Sequence, residues 1–323
     1  MYAIDRNLTN MVKFAAAVTV VLHHYSQYVS HNNLSDSIVY DFFNLYGGYF
    51  AVGVFFFLSG FGLMESEKKK HLELVPFLKK RWLRVYIPVL LVTVIWMLVR
   101  QWLPEKVVLP RSGVIGVLYD FLWGFGDSYL WFVRVIIFLY AAFAVFAQVR
   151  VKHGMARAML VLNLMTVAVS VGALIMIADW AIVSIPMFTL GVQASYYAER
   201  RRGRAYLALS FMSWCIAISA LLALYYIIVP PESFSVLRHV LANYPSVLVL
   251  MLLLPVVPAG WCKHAPRLVA DTSYDIYLVH GKVLMTLRAL MAVVPLWMLA
   301  AVVFVCVVLF YGLRKRVETI LKA

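Results

Sequence analysis

Hydrophobic positions along this chain come in long, nearly unbroken blocks, set apart by short polar stretches that are mostly basic. The strict alternation of a half-buried strand is missing from them. Each block is close to the ~20 residues that carry a helix across the hydrocarbon of a bilayer. Ten spans are predicted, beginning near Met11, Leu45, Arg84, Ser128, Ala158, Asp179, Ala205, Asn243, Asp271 and Pro295. A shorter apolar piece, Gly113 to Gly126, reads as a re-entrant or interfacial segment ahead of the fourth span. The polar lead "MYAIDRNLTN" runs into the first block without a small-x-small cleavage pattern, so that block is expected to stay as a span.

Composition agrees with the pattern. Of the residues, 64% are hydrophobic and 14% charged, where a soluble domain has about half and about a quarter. The expected fold is an all-α polytopic integral membrane protein, with about ten transmembrane helices around a polar intramembrane cavity. Residues 1–323 form a single membrane-embedded domain, with no separate soluble domain expected.

The formal net charge of +14 would by itself suggest a nucleic-acid partner. Its distribution argues otherwise. Lys68 to Lys70, Lys79 to Arg84, Arg150 to Arg157, Arg200 to Arg204 and Arg314 to Lys322 all fall on one side of the predicted topology. The opposite loops hold only Lys106, Arg111 and Arg238. By the positive-inside rule the basic side is cytoplasmic, and an even number of spans puts both termini there. The partner implied is the bilayer, and nucleic acid is not expected.

A few charges escape this explanation. Arg100 sits near a span end, where its head can snorkel. Arg134, Lys282 and Arg288 lie deeper, where each would cost roughly 2.5–3.5 kcal/mol facing lipid. Several such residues in one small bundle point to a polar interior.

The first span, "VKFAAAVTVVLHHYSQYV", carries Lys13 near one end and His23 and His24 well inside. Lys13 and His24 are eleven residues apart, which leaves them only about 20° apart around a helix and about 16 Å apart along it. They are expected to address one cavity at two depths, with His23 turned about 100° away. His24 is the candidate general base; a histidine bonded to a neighbouring helix is the plainer alternative.

Five segments together resemble the acyltransferase 3 family of bacterial integral-membrane enzymes. Lys13-x10-His24 is similar to the family's Arg/Lys-x10-His signature. "GGYFAVGVFFFLSGFGL", "FLKKRWLRVYIP", "SYLWFVRVIIFLY" and "DTSYDIYLVHGKVL" resemble its second, third, Leu-Trp-Phe and late spans, in order. The departure is lysine at position 13, which lacks the bidentate fork of the commoner arginine.

The resemblance implies an O-acyltransferase of the bacterial cytoplasmic membrane. It would move an acyl group, acetyl by expectation, from cytoplasmic acyl-coenzyme A to a hydroxyl of a saccharide or cell-envelope glycan. His24 and Lys13 are then the catalytic candidates. Lys13, Arg81 and Arg84 are candidates for the donor's phosphates, which arginine suits by offering two donors at once. Arg134, Trp131, Tyr277, His280 and Lys282 are candidates for acceptor binding or for polarising the thioester. In the late span Asp275 and Lys282, seven apart, read as an ion pair.

No nucleophile elbow, phosphate-binding glycine loop or paired zinc histidines occur, so no metal is implied. Cys215, Cys262 and Cys306 lie in or beside three different apolar blocks and suggest no disulfide framework. The glycines of the second span, Gly47, Gly48, Gly53, Gly60 and Gly62, read as close-packing positions. The alternative function is a proton-coupled transporter or flippase of a polar solute; an inactive scaffold is a third, weaker reading.

Overall fold

The computed structural model describes residues 6–103, 128–197, 203–228, 247 and 267–321. All regular structure among them is helical. The helices of eleven or more residues are α1 (Arg6–His31), α2 (Gly48–Lys69), α3 (Leu74–Arg100), α4 (Trp131–His153), α5 (Met155–Met176), α6 (Met187–Tyr197), α7 (Gly203–Ile228), α8 (Arg267–Leu290) and α9 (Leu296–Ile320). Six of them, α2 to α5 together with α7 and α9, are long and apolar enough to cross a membrane. The predicted eighth span near Asn243 and the Gly113 to Gly126 segment lie outside the described residues.

The helices differ from the predicted spans at two places. The span expected from Asp179 is a 3₁₀ turn, Asp179–Val183, followed after Pro186 by the eleven-residue α6. At ~1.5 Å per residue α6 reaches about 16 Å, well short of a ~30 Å hydrocarbon core. It is tolerated because residues 181–193 are buried inside protein, where irregular backbone at membrane depth is allowed. The second difference is the start of α3 at Leu74, ahead of the predicted start near Arg84, with Arg81 and Arg84 inside the helix.

α6 is held against α2 by two glycines facing each other's backbone. A Cβ on Gly60 would stand 2.0 Å from the Phe188 carbonyl oxygen, and one on Gly191 would stand 2.1 Å from that of Phe57. Only hydrogen allows helices this close. Gly62, two residues on, faces open space and is not a packing position, contrary to expectation.

Two buried carboxylates tie helices to their neighbours. Glu67 at the end of α2, with a side chain 0% exposed, accepts from Arg150 Nη2 at 2.5 Å and from His71 Nδ1 at 2.8 Å. Its second oxygen accepts from the Leu72 N–H at 2.8 Å, which fixes the turn into α3. Asp275 on α8 is equally buried, and its partner is Arg314 of α9 at 2.9 Å, not Lys282 as the spacing suggested. Lys282 instead stands 5.2 Å from the centre of the Trp96 ring.

Candidate active site

α1 runs unbroken from Arg6 to His31, so Lys13 does lie about 16 Å along the axis from His24 and nearly in line with it. The face of α1 turned inward carries Val20, His23, His24 and Gln27, the i, i+3, i+4, i+7 set of one helical stripe. These four line a cavity of about 290 Å³ with Gly48, Tyr49 and Val52 of α2, Tyr129, Trp131 of α4 and Tyr277 of α8. The stripe runs between the two histidines, so His23 shares the cavity with His24 and is not turned away from it.

His24 is surrounded by rings. The His280 imidazole of α8 stacks on it with centroids 5.2 Å apart and planes 23° from parallel. Tyr129 meets it edge-on at 4.7 Å, and His23 stands at 4.9 Å. Tyr129 belongs to the 3₁₀ turn Ser128–Leu130 that leads into α4, and its carbonyl accepts the Tyr277 hydroxyl. Its ring lies against Gly281, where a Cβ would come within 2.5 Å of the ring's Cγ. Gly48 does the same for His23: a Cβ there would fall 2.5 Å from Nε2. A five-residue π-helical turn, Phe43–Gly47, precedes α2, and its Phe43 carbonyl accepts from His23 Nδ1 at 2.9 Å. Such turns often mark functional sites.

An aromatic ladder descends α8 from this centre. Tyr277 packs 6.0 Å from His280, and Tyr274 stacks on Tyr277 at 6.5 Å with planes 8° apart. The Tyr274 hydroxyl donates to the Val85 carbonyl of α3 at 3.1 Å. Val85 directly follows Arg84, so the ladder joins the imidazole centre to the basic start of α3.

Of the residues singled out in the sequence, His24, Trp131 and Tyr277 line the cavity. His280, 1% exposed, backs it. Lys13, Arg81, Arg84, Arg134 and Lys282 stand outside the lining. Arg81 lies between the rings of Phe77 and Tyr140, at 5.7 and 5.5 Å from their centres, while Arg84 is exposed. Sequence reasoning missed Gln27, Tyr49 and Tyr129. Gln27 had a signal, one helical turn from His24, and Tyr129 sits two residues before Trp131. No group of His, Cys, Asp and Glu suited to a metal occurs among the described residues.

Bilayer-length helices around an internal imidazole centre define the class, a multi-pass membrane protein with an enzyme-like site. The chain belongs to the acyltransferase 3 family: the family model, described as an acyltransferase domain, matches residues 7–314. No curated protein and no solved structure matches it. The protein is accordingly a membrane acyltransferase.

Proposed function

We propose that this protein transfers an acyl group, acetyl first, from cytoplasmic acyl-coenzyme A to a hydroxyl of a saccharide or cell-envelope glycan. The observation that carries the reading is the half-buried His24 imidazole, walled by Tyr49, Tyr129, Trp131 and Tyr277 in a cavity large enough for reacting groups. His24 removes the acceptor proton as the hydroxyl oxygen attacks the thioester carbon. The imidazolium then returns a proton to the leaving thiolate. Aromatic walls give the sugar rings of an acceptor flat apolar faces to pack on.

The donor's phosphates sit near Lys13, Arg81 and Arg84, at the basic and therefore cytoplasmic end. Its pantetheine arm follows the Tyr274–Tyr277 ladder toward His24. The ~16 Å between Lys13 and His24 is comparable to that arm's extended reach. Arg134 and Lys282, outside the cavity lining, act on the acceptor only through groups nearer to it. In this reading the protein resides in a bacterial cytoplasmic membrane with both termini inside.

The test is release of free coenzyme A by purified, detergent-solubilised protein given acetyl-coenzyme A, with and without extracted envelope glycans. Acceptor-dependent release supports the proposal. No turnover with acetyl-, propionyl- or longer acyl donors, together with no donor binding, favours the transporter instead. Arg81→Ala combined with Arg84→Ala weakens donor binding if the phosphate site is right and leaves it unchanged if it is wrong.

A further inference from the structure

His24 has a side-chain partner one helical turn away, Gln27. Gln27 Oε1 stands 2.9 Å from His24 Nδ1, and an amide oxygen can only accept, so Nδ1 carries the hydrogen. A neutral imidazole with hydrogen on Nδ1 has its lone pair on Nε2, the atom a general base uses. The neighbouring imidazoles are fixed in the same sense, but by backbone. His23 Nδ1 donates to the Phe43 carbonyl at 2.9 Å, and His280 Nδ1 donates to the carbonyls of Ile276 and Tyr277 at 3.1 and 2.8 Å. Among the three, His24 has its Nδ1 hydrogen held by a side chain, and that side chain lines the cavity.

We infer that Gln27 is the positioning residue of the reaction, an uncharged orienter that fixes the tautomer and ring angle of His24. The inference rests on the acyl-transfer reading above. In the reaction the acceptor O–H bond breaks and its proton goes to His24 Nε2, as the new O–C bond forms. The C–S bond then breaks, and the thiolate takes that proton from Nε2. The Nδ1 hydrogen stays on Nδ1 throughout, donated to Gln27 Oε1, and the amide dipole steadies the transient imidazolium. Among the described residues, the titratable groups facing His24 are His23 on its own helix, Tyr49 of α2, Tyr129 of the 3₁₀ turn, and Tyr277 and His280 of α8. None of these described groups is a carboxylate, and the Gln27 amide oxygen is an acceptor placed to meet a positive charge on His24.

The experiment measures kcat, KM for acetyl-coenzyme A and the pH profile of coenzyme A release by full-length wild type, Gln27→Leu and Gln27→Glu. Gln27→Leu is expected to lower kcat on the order of 10–100-fold, part of the ~10²–10⁴ that a general base supplies, with KM for the donor little changed. Gln27→Glu is expected to keep turnover and move the acidic limb of the profile to higher pH, because a carboxylate favours the charged ring. A purely structural role would not move that limb. Wild-type kcat in Gln27→Leu, or an unshifted profile in an active Gln27→Glu, overturns the positioning role while acyl transfer stands. Absence of turnover by wild type overturns both.

Discussion

Two helix contacts in this protein are built on opposite principles. α2 and α6 meet backbone to backbone at Gly60 and Gly191. α1 and α8 meet through imidazole and phenol rings, His24 on His280 with Tyr129 against both. The first contact has almost no freedom and leaves no space. The second borders a cavity of about 290 Å³. Beside the cavity, Gly48 and Gly281 make room for a ring and not for another helix. The apolar contact fixes where the polar one sits. α2 supplies Gly48, Tyr49 and Val52 to the cavity, and the Ser184 hydroxyl, just before α6, donates to the Tyr49 carbonyl at 3.0 Å.

This contrast can be broken from either side. The largest loss of stability is expected for Gly191→Val, whose Cβ would overlap the Phe57 carbonyl. A cost above ~4 kcal/mol is expected, read as loss of the monodisperse folded protein in detergent. Glu67→Ala comes next. It leaves Arg150 facing a buried site without its carboxylate, and a drop of about 3–5 kcal/mol is expected in thermal or denaturant unfolding.

Gly281→Ala should separate stability from chemistry. The added methyl displaces the Tyr129 ring at a cost of about 1–3 kcal/mol, and turnover per folded molecule should fall further than stability alone explains. The smallest effect is expected for Gly62→Ala, which meets open space in a helix interior. A gain of about 0.5–1 kcal/mol should appear as a slightly higher melting temperature.

Part of the polar centre was legible because helical periodicity holds over a continuous span, although it set His23 apart from a cavity that both histidines line. The Lys13–His24 register needed only the unbroken α1. Segment order carried the family, and it brought Trp131, Tyr277 and His280 into consideration. What periodicity cannot supply is the partner. Asp275 and Lys282 share a face of α8, yet Arg314 arrives from α9 and takes the carboxylate. The pairing of Tyr129 with Gly281 joins residues far apart in sequence and leaves no local trace.

Hydropathy also misleads in both directions. α1 and α8, which carry His24 and His280, are not among the six helices apolar enough to cross a membrane: His23, His24 and Gln27 dilute α1, and Asp275, Lys282 and Arg288 dilute α8. The segment from Asp179 is apolar enough to suggest a span, yet it is a buried half-helix behind Pro186. Gly60 and Gly62 look alike in sequence, but they point to different faces and only one meets α6.

The account stands on His24 as the base. Its most direct test compares coenzyme A release by wild type and His24→Ala, with acetyl-coenzyme A and a glycan acceptor, after matching their thermal melting. A fall of about 10²–10⁴-fold in kcat with unchanged melting is the predicted result. Release at the wild-type rate by a well-folded His24→Ala protein would contradict it and move the base to another group.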